Sequence, residues 1–268
     1  MPEGDTIFRT ARTLNRALAG QVITKFDTVF PKLSRIDEDA PLSGRTVENA
    51  EAKGKWLHIR FSGDLILLTH MLMSGSWHIY RPGEKWQRPQ SHMRIALHTG
   101  PFVAIAFQVQ IAEFHTAESL ARHRTGARLG PDLLDPAFDS EFAIARLKSQ
   151  PDHEIGEALL RQALVAGMGN VFKSEVCFAA RVNPFRRVKT IGNDELHGLM
   201  TNARTLMRAN IVEPTGMRRT TSHLDPGERL WVYDRAGKPC RICGTPIRSH
   251  KQGLDARSTY WCPACQRV

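Results

Sequence analysis

The chain predicts an α+β protein of more than one domain, and three observations carry that reading. Between Val22 and about Phe114, short runs rich in β-branched and aromatic residues follow one another with no helical period between them. From Glu141 to Asn210 the apolar spacing turns helical. Beyond Leu230 a short β pattern returns, interrupted by two Cys-x-x-Cys pairs. A length of 268 residues suffices for two domains, or one large one, each with a core.

Taken in order, Ile7, Ala11, Leu14 and Leu18 recur at helical spacing, with Gly20 where that helix should stop and Asp5 or Thr6 placed to cap its start. Strands are predicted over residues 22–30, 56–61, 65–72, 93–97 and 102–107, punctuated by turns at Gly63-Asp64 and Pro82-Gly83. Short strands without intervening helices imply an antiparallel sandwich or barrel. Residues 126–136 carry two glycines and two prolines and read as a linker. Helices are predicted over 141–148, 154–165, 171–181 and 194–210.

The formal charge of +10 points to a polyanionic partner, most simply nucleic acid, although anionic lipid or solubility alone are other uses of such charge. No apolar run approaches the ~18–20 residues of a membrane span. The start lacks a basic stretch followed by an apolar one, so no signal peptide is expected. Four of the five cysteines fall in the two pairs, which suits metal binding in a reducing cytosol better than disulfides. A cytoplasmic protein is therefore expected.

Met1-Pro2-Glu3 is the feature richest in chemistry. Once Met1 is removed, Pro2 presents a secondary α-amine, which titrates near ~8 where lysine titrates near ~10.4. Such an amine attacks carbonyl carbons and yields an iminium ion, an electron sink. Glu3 adds a carboxylate one residue away. The alternative is that Pro2 only aids maturation and Glu3 is a solvated charge.

Cys240-x-x-Cys243 and Cys262-x-x-Cys265 can each form a turn whose thiolates converge on one ion. Four sulfurs leave no open position, so one structural Zn2+ is expected, supplying what a forty-residue segment lacks in core. Two disulfides or a redox pair are the competing readings. Arg248, Lys251 and Arg257 lie between the pairs, and Cys177, alone in an apolar stretch, reads as core. In Gly167-Met168-Gly169-Asn170 two glycines allow a sharp turn before a helix. Such a turn can bring backbone amides and Asn170 to a phosphate, or be only a turn.

Together, Pro2-Glu3-Gly4, Gly167–Asn170, Leu129-Gly130-Pro131-Asp132 and the run Arg257-Ser-Thr-x-x-Cys-Pro-x-Cys-Gln resemble the formamidopyrimidine-DNA glycosylase and endonuclease VIII family of base-excision repair enzymes, essentially end to end. The resemblance implies an N-terminal β-sandwich with flanking helices over 1–125 and a linker over 126–140. It further implies a helix–two-turn–helix DNA-binding domain over 141–228, a zinc finger over 229–268, and DNA lying in the cleft between the domains. It implies Pro2 as nucleophile at C1′ of the damaged nucleotide, Glu3 as acid/base and Lys55 as the family's essential β-sandwich lysine, with Lys53 on the same strand face as fallback. Asn170 and Arg257 match phosphate-clamping residues, and His70 matches a histidine at the end of a strand. Met73 matches the residue that wedges into the vacated base stack, against the alternative of a strand-end core methionine. The implied partner is damaged double-stranded DNA, possibly single-stranded or bubble DNA, bound by a monomer. No catalytic metal or nucleotide cofactor is implied.

Four features favour the endonuclease VIII branch and oxidised pyrimidines. The start is Pro-Glu-Gly-Asp-Thr. Residues 107–113 carry no arginine to fill the gap opposite a lesion, although Gln110 and Ile111 lie there. Gly156 stands where the purine-specific branch has a phosphate-binding lysine, and the capping loop over 211–228 is short. Oxidised-purine removal is the alternative within the family, and a non-catalytic DNA-binding zinc protein the alternative outside it. Arg186-Arg187 and Arg218-Arg219 read as surface charge or added phosphate contacts.

Overall fold

The computed structural model describes residues 2–123, 129–212, 218–221 and 228–267. The chain forms two compact units, 1–127 and 128–268.

In the first unit, α1 (Gly4–Leu18) buries Ile7, Ala11, Leu14 and Leu18, the stripe its period predicts. It begins at Gly4 with Glu3 in the capping position and no side-chain cap, so neither Asp5 nor Thr6 starts it. Asn15 Oδ1 accepts the Ala50 amide at 2.8 Å and ties α1 to the first sheet. The strands are β1 (Lys25–Thr28), β2 (Val47–Lys53), β3 (Trp56–Phe61), β4 (Leu65–His70), β5 (Ser76–Tyr80), β6 (Met93–His98), β7 (Val103–Phe107) and β8 (Ile111–His115). They pair as two antiparallel four-stranded sheets, in the orders β2-β3-β4-β8 and β1-β6-β7-β5.

Alternate residues of both sheets, among them Leu57, Ile59, Phe61, Ile95, Leu97 and Ala106, meet with α1 in one apolar core. The sandwich, rather than the barrel, is the result. Of the strand expected over 22–30, residues 25–28 form β1 and Val22 makes only an isolated bridge to Thr46; beyond Thr28 the strand ends because Phe30 leads into α2 (Pro31–Asp39), a helix with proline in its first turn. A second unexpected helix, α3 (Ala117–Arg122), opens on a reciprocal cap between Thr116 and Ser119.

In the second unit lie α4 (Ser140–Lys148), α5 (Ile155–Ala158), α6 (Asn170–Ala179) and α7 (Asn193–Val212), then the hairpin β9 (Arg248–Gln252) and β10 (Arg257–Trp261). The helix expected over 154–165 stops after one turn. Beyond it the backbone bonds elsewhere: Gly130 N–H donates to the Gln162 carbonyl and Ala166 N–H to that of Pro131. At Gly130 a Cβ would lie 2.4 Å from the Leu164 carbonyl oxygen, so only glycine fits beside this turn. The Gln162 side chain closes the second turn, donating to the carbonyls of Leu160 and Met168 and accepting from Gly167 N–H.

Helix α6 is buried from Asn170 to Phe178, charged residues included. Glu175 accepts backbone N–H bonds from Trp231, Val232 and Tyr233 at 2.8–2.9 Å and the Thr220 hydroxyl as well. Burial pushes its pKa up while these bonds pull it down. Gln266 donates to the Val182 carbonyl and accepts from Cys262 N–H, joining the cysteine-bearing segment to the end of α6. Among the described residues no helix is long and apolar enough to cross a membrane.

Candidate active site and nucleic-acid interface

The N-terminal unit carries the first group of expected residues. Pro2 is half-buried directly ahead of α1, and Glu3 is fully buried, its carbonyl accepting the Thr6 and Ile7 amides that open the helix. A terminal amine placed here is held by a rigid helix rather than by a mobile tail.

Lys55 sits in the two-residue turn of the β2–β3 hairpin, after Gly54 at φ +58°, with Lys53 paired to Trp56 on either side. Lys53 and Lys55 therefore do not share a strand face. Lys53 ends β2 and pairs with Glu51 at 3.4 Å. Glycine at the first turn position supplies the positive φ that the tight hairpin needs.

The turn brings Lys55 near His70, which ends β4 opposite Trp56 and meets its ring edge-on at 4.8 Å. Burial, and then the Lys55 charge, push the His70 pKa down to about 4. His70 is thus neutral near pH 7. Its Nδ1 accepts the Leu72 amide at 3.1 Å, which leaves the proton on Nε2, a donor held in one orientation.

Met73 follows in a turn where Leu72 adopts φ +48° and a Cβ on Gly75 would lie 2.5 Å from the Met71 carbonyl oxygen. Met71 fills the core, whereas Met73 is 61% exposed, so it is not a core methionine. The turn thus presents a large apolar side chain to solvent. On the loop from β7 to β8, Val109 is buried and Gln110 exposed.

The second unit carries the other group. Gly167 adopts φ +95°, Gly169 precedes α6, and Asn170 is its first residue. Asn170 Nδ2 donates to the Ser258 carbonyl at 2.9 Å, which brings it beside Arg257 on β10. Arg257 is exposed, and among the described residues its side-chain ion pair is a 3.7 Å approach to Asp255. Beneath them Lys173, fully buried, donates to Thr259 Oγ1 at 2.5 Å. Thr259 in turn reaches Gln252, and Gln252 reaches Glu154 and the Pro184 carbonyl. A Cβ at Gly156 would lie 2.5 Å from Gln252 Oε1, so this glutamine fills the space into which a side chain at position 156 would grow.

The four finger cysteines converge: Sγ separations are 3.9 Å for Cys240–Cys265 and 3.5 Å for both Cys243–Cys262 and Cys243–Cys265. Tetrahedral thiolates ~2.3 Å from zinc stand roughly 3.8 Å apart, so the cluster fits one structural ion and leaves no open position. Cys177 is buried in α6, and burial raises its thiol pKa to about 12, as an inert core cysteine requires.

The arginine pairs serve local structure. Arg186 is bound to Glu195 at 2.5 and 3.0 Å, Arg187 lies 3.8 Å from Asp152, Arg218 stacks on Phe172, and Arg219 donates to the Glu228 carbonyl. The capping-loop reading over 211–228 falls largely on 213–217 and 222–227, outside the described residues. Sequence reasoning missed the chain Lys173–Thr259–Gln252–Glu154 and the Glu175 cradle. The signal for both was two charges, Lys173 and Glu175, inside an otherwise apolar helix.

Comparison with known proteins agrees throughout the chain. Three family models match: the formamidopyrimidine-DNA glycosylase N-terminal domain over 1–110, the formamidopyrimidine-DNA glycosylase H2TH domain over 129–221, and a zinc finger found in FPG and IleRS over 237–268. "Probable endonuclease 8 2" of Streptomyces coelicolor is 41% identical, over 99% of this chain and 94% of its own. "DNA-(apurinic or apyrimidinic site) lyase Nei2" of Mycolicibacterium smegmatis is 38% identical over 99% of both chains. The fold matches that of Lactococcus lactis formamidopyrimidine-DNA glycosylase, crystallised non-covalently bound to DNA containing an AP site, with a TM-score of 0.83 over 100% of both chains at 21% identity. This chain belongs to the formamidopyrimidine-DNA glycosylase and endonuclease VIII family.

Proposed function

We propose that this protein is a bifunctional DNA glycosylase and apurinic/apyrimidinic-site lyase that removes oxidised bases, chiefly pyrimidines, with Pro2 as nucleophile. The observation that carries it is the placement of Pro2-Glu3 at the head of α1 in a chain related over its whole length to endonuclease 8 proteins.

The damaged nucleotide leaves the stack, at a cost of a few kcal/mol that a weakened pair lessens. Met73 fills the space it vacates. The Pro2 nitrogen forms a bond to C1′ as the N-glycosidic bond breaks, and the base departs with a proton. Glu3 supplies the proton that opens the sugar ring, which turns the C1′ adduct into an iminium. The iminium acidifies the C2′ hydrogens, so the 3′ phosphate is eliminated. A second elimination expels the 5′ phosphate, and water then adds to C1′ of the iminium, releasing the sugar remnant as an aldehyde and freeing Pro2.

Lys55 and His70 act on the N-terminal side as cation and neutral donor to the DNA. Asn170 and Arg257 clamp phosphates from the second unit, with the zinc holding the hairpin rigid. The protein acts as a monomer on damaged double-stranded DNA.

Borohydride trapping on abasic-site DNA tests the reading, because only an iminium is reduced to a permanent crosslink. A crosslink that maps to Pro2 is expected. Equal trapping by Pro2→Gly refutes the assignment, and so does full activity in protein that retains Met1. Excision across a panel of oxidised-base duplexes tests the preference for pyrimidines. An 8-oxoguanine preference would favour the purine reading, which one 35% identical relative from Symbiobacterium thermophilum, named formamidopyrimidine-DNA glycosylase, keeps in view.

A further inference from the structure

On the outer face of the first unit's sheet, three side chains outside the proposed active site point at one another. Glu113 and His115 lie two residues apart on the edge strand β8, and His123 follows α3 directly. Glu113 Oε2 stands 2.9 Å from His115 Nε2 and 3.1 Å from His123 Nε2, and the two imidazole rings are 4.7 Å apart. Strand periodicity puts Glu113 and His115 on one face, and α3 folds back over that face with Leu120 packed on Ile66 and Leu68.

We propose that Glu113, His115 and His123 form a second metal site, taking a divalent transition-metal ion of the Zn2+ type. Two imidazole nitrogens and one carboxylate select such an ion over Mg2+ or Ca2+, which take oxygen ligands. Ligands ~2.1 Å from a tetrahedral ion stand roughly 3.4 Å apart, so admitting it moves the carboxylate oxygen away from each imidazole nitrogen by only a few tenths of an ångström, and all three ligand atoms already lie within 4.8 Å of one another. The carboxylate is 42% exposed and the histidine side chains 13% and 25%, which leaves the fourth position open to water.

His115 already has the outer partner that a metal-bound imidazole uses: its Nδ1 lies 3.1 Å from Ser119 Oγ, itself fixed by the reciprocal cap with Thr116. His123 Nδ1 is buried and has no hydrogen-bond partner among the described residues, so His115 is the better oriented ligand. The ion would fasten the end of α3 to the sheet edge at the point where the chain leaves the first unit. The site is separate from the four finger thiols.

The test is a calorimetric titration of the zinc-loaded full-length protein with Zn2+ alone. One further equivalent, bound at micromolar or tighter affinity, is expected. His115→Gln should weaken it by at least ~100-fold, His123→Gln by somewhat less, and Ser119→Ala by roughly tenfold. Each variant should keep one tightly held zinc by mass spectrometry, which shows that the finger is intact.

A measurement without variants covers the case in which a variant fails to fold. Co2+ added to the zinc-loaded protein should give visible ligand-field bands without the intense thiolate charge-transfer absorption of the finger. Absence of a further equivalent, binding only in the millimolar range, or a second site that survives both histidine substitutions overturns the proposal. In any of those cases Glu113 is simply an acceptor for two histidine N–H donors.

Discussion

In the first unit Pro2, Lys55 and Met73 owe their placement to backbone: a helix start, a two-residue hairpin turn and a tight turn at Leu72–Gly75. In the second unit Asn170, Lys173, Glu175 and Gln252 are placed by side-chain bonds inside a buried network. The difference teaches what each substitution should touch. A side chain presented by backbone can change with little cost to the fold, and its loss reads out as chemistry. A side chain that is itself part of the packing carries stability and binding together.

Pro2→Gly gives the largest expected effect and the sharpest test of that contrast. It should cut borohydride trapping and strand cleavage by about two orders of magnitude or more, while the melting temperature stays within a few degrees. A variant that melts early and traps normally would reverse the comparison.

Glu175→Ala should do the opposite. Three backbone amides and a hydroxyl lose their acceptor in a fully buried position, at a cost of about 3–5 kcal/mol. Denaturant unfolding should show that loss, with the abasic-site chemistry intact in whatever fraction remains folded. Cys240→Ser lies between the two. It opens the metal cluster and releases the hairpin that bears Arg257, so affinity for abasic-site DNA should fall about tenfold or more and the salt dependence should flatten.

Met73→Ala sharpens the first half of the comparison, since the residue is exposed and its turn is built from Leu72 and Gly75. Base excision from duplex should drop several-fold while cleavage of a preformed abasic site falls less, because the wedge assists extrusion of a base rather than the elimination. Equal losses in both assays would assign Met73 to general DNA contact instead.

What was legible in the sequence follows the same division. The α1 stripe, β3, β4, α6, α7 and the cysteine pairs were readable because local period or spacing dictates them. The helix α2 was not, since Leu33 is its one buried residue and the polar remainder gives no period. The strand β8 was missed because every residue in it is half-buried, which erases the alternation. The early end of α5 was hidden because a segment distant in sequence bonds to the backbone there: Gly130 N–H donates to the Gln162 carbonyl and the Pro131 carbonyl accepts from Ala166 N–H. Pro2, Glu3 and the cysteines drew attention by residue type. Gln252 and Glu154 have nothing unusual about them until the fold sets them 2.8 Å apart.

The smallest effect bears on the outer face of the β2-β3-β4-β8 sheet, where the buried His58 Nδ1 has no hydrogen-bond partner among the described residues. His58 on β3 is 5% exposed, and burial pushes its pKa down to about 4. Glu51 opposes that shift, whereas Arg60, Lys53 and His115 add to it. An unfolded histidine titrates near ~6.5. Between those values the unfolded chain binds more protons than the folded one, so stability falls as pH drops from about 6.5 towards 4 and levels off below. His70, also lowered to about 4, acts in the same direction. Urea unfolding at about pH 7 and pH 5 should therefore show a loss on acidification that His58→Gln reduces by about 1–2 kcal/mol. An identical loss in the variant would mean that His58 is protonated in the folded protein, with Glu51 rather than burial deciding its charge.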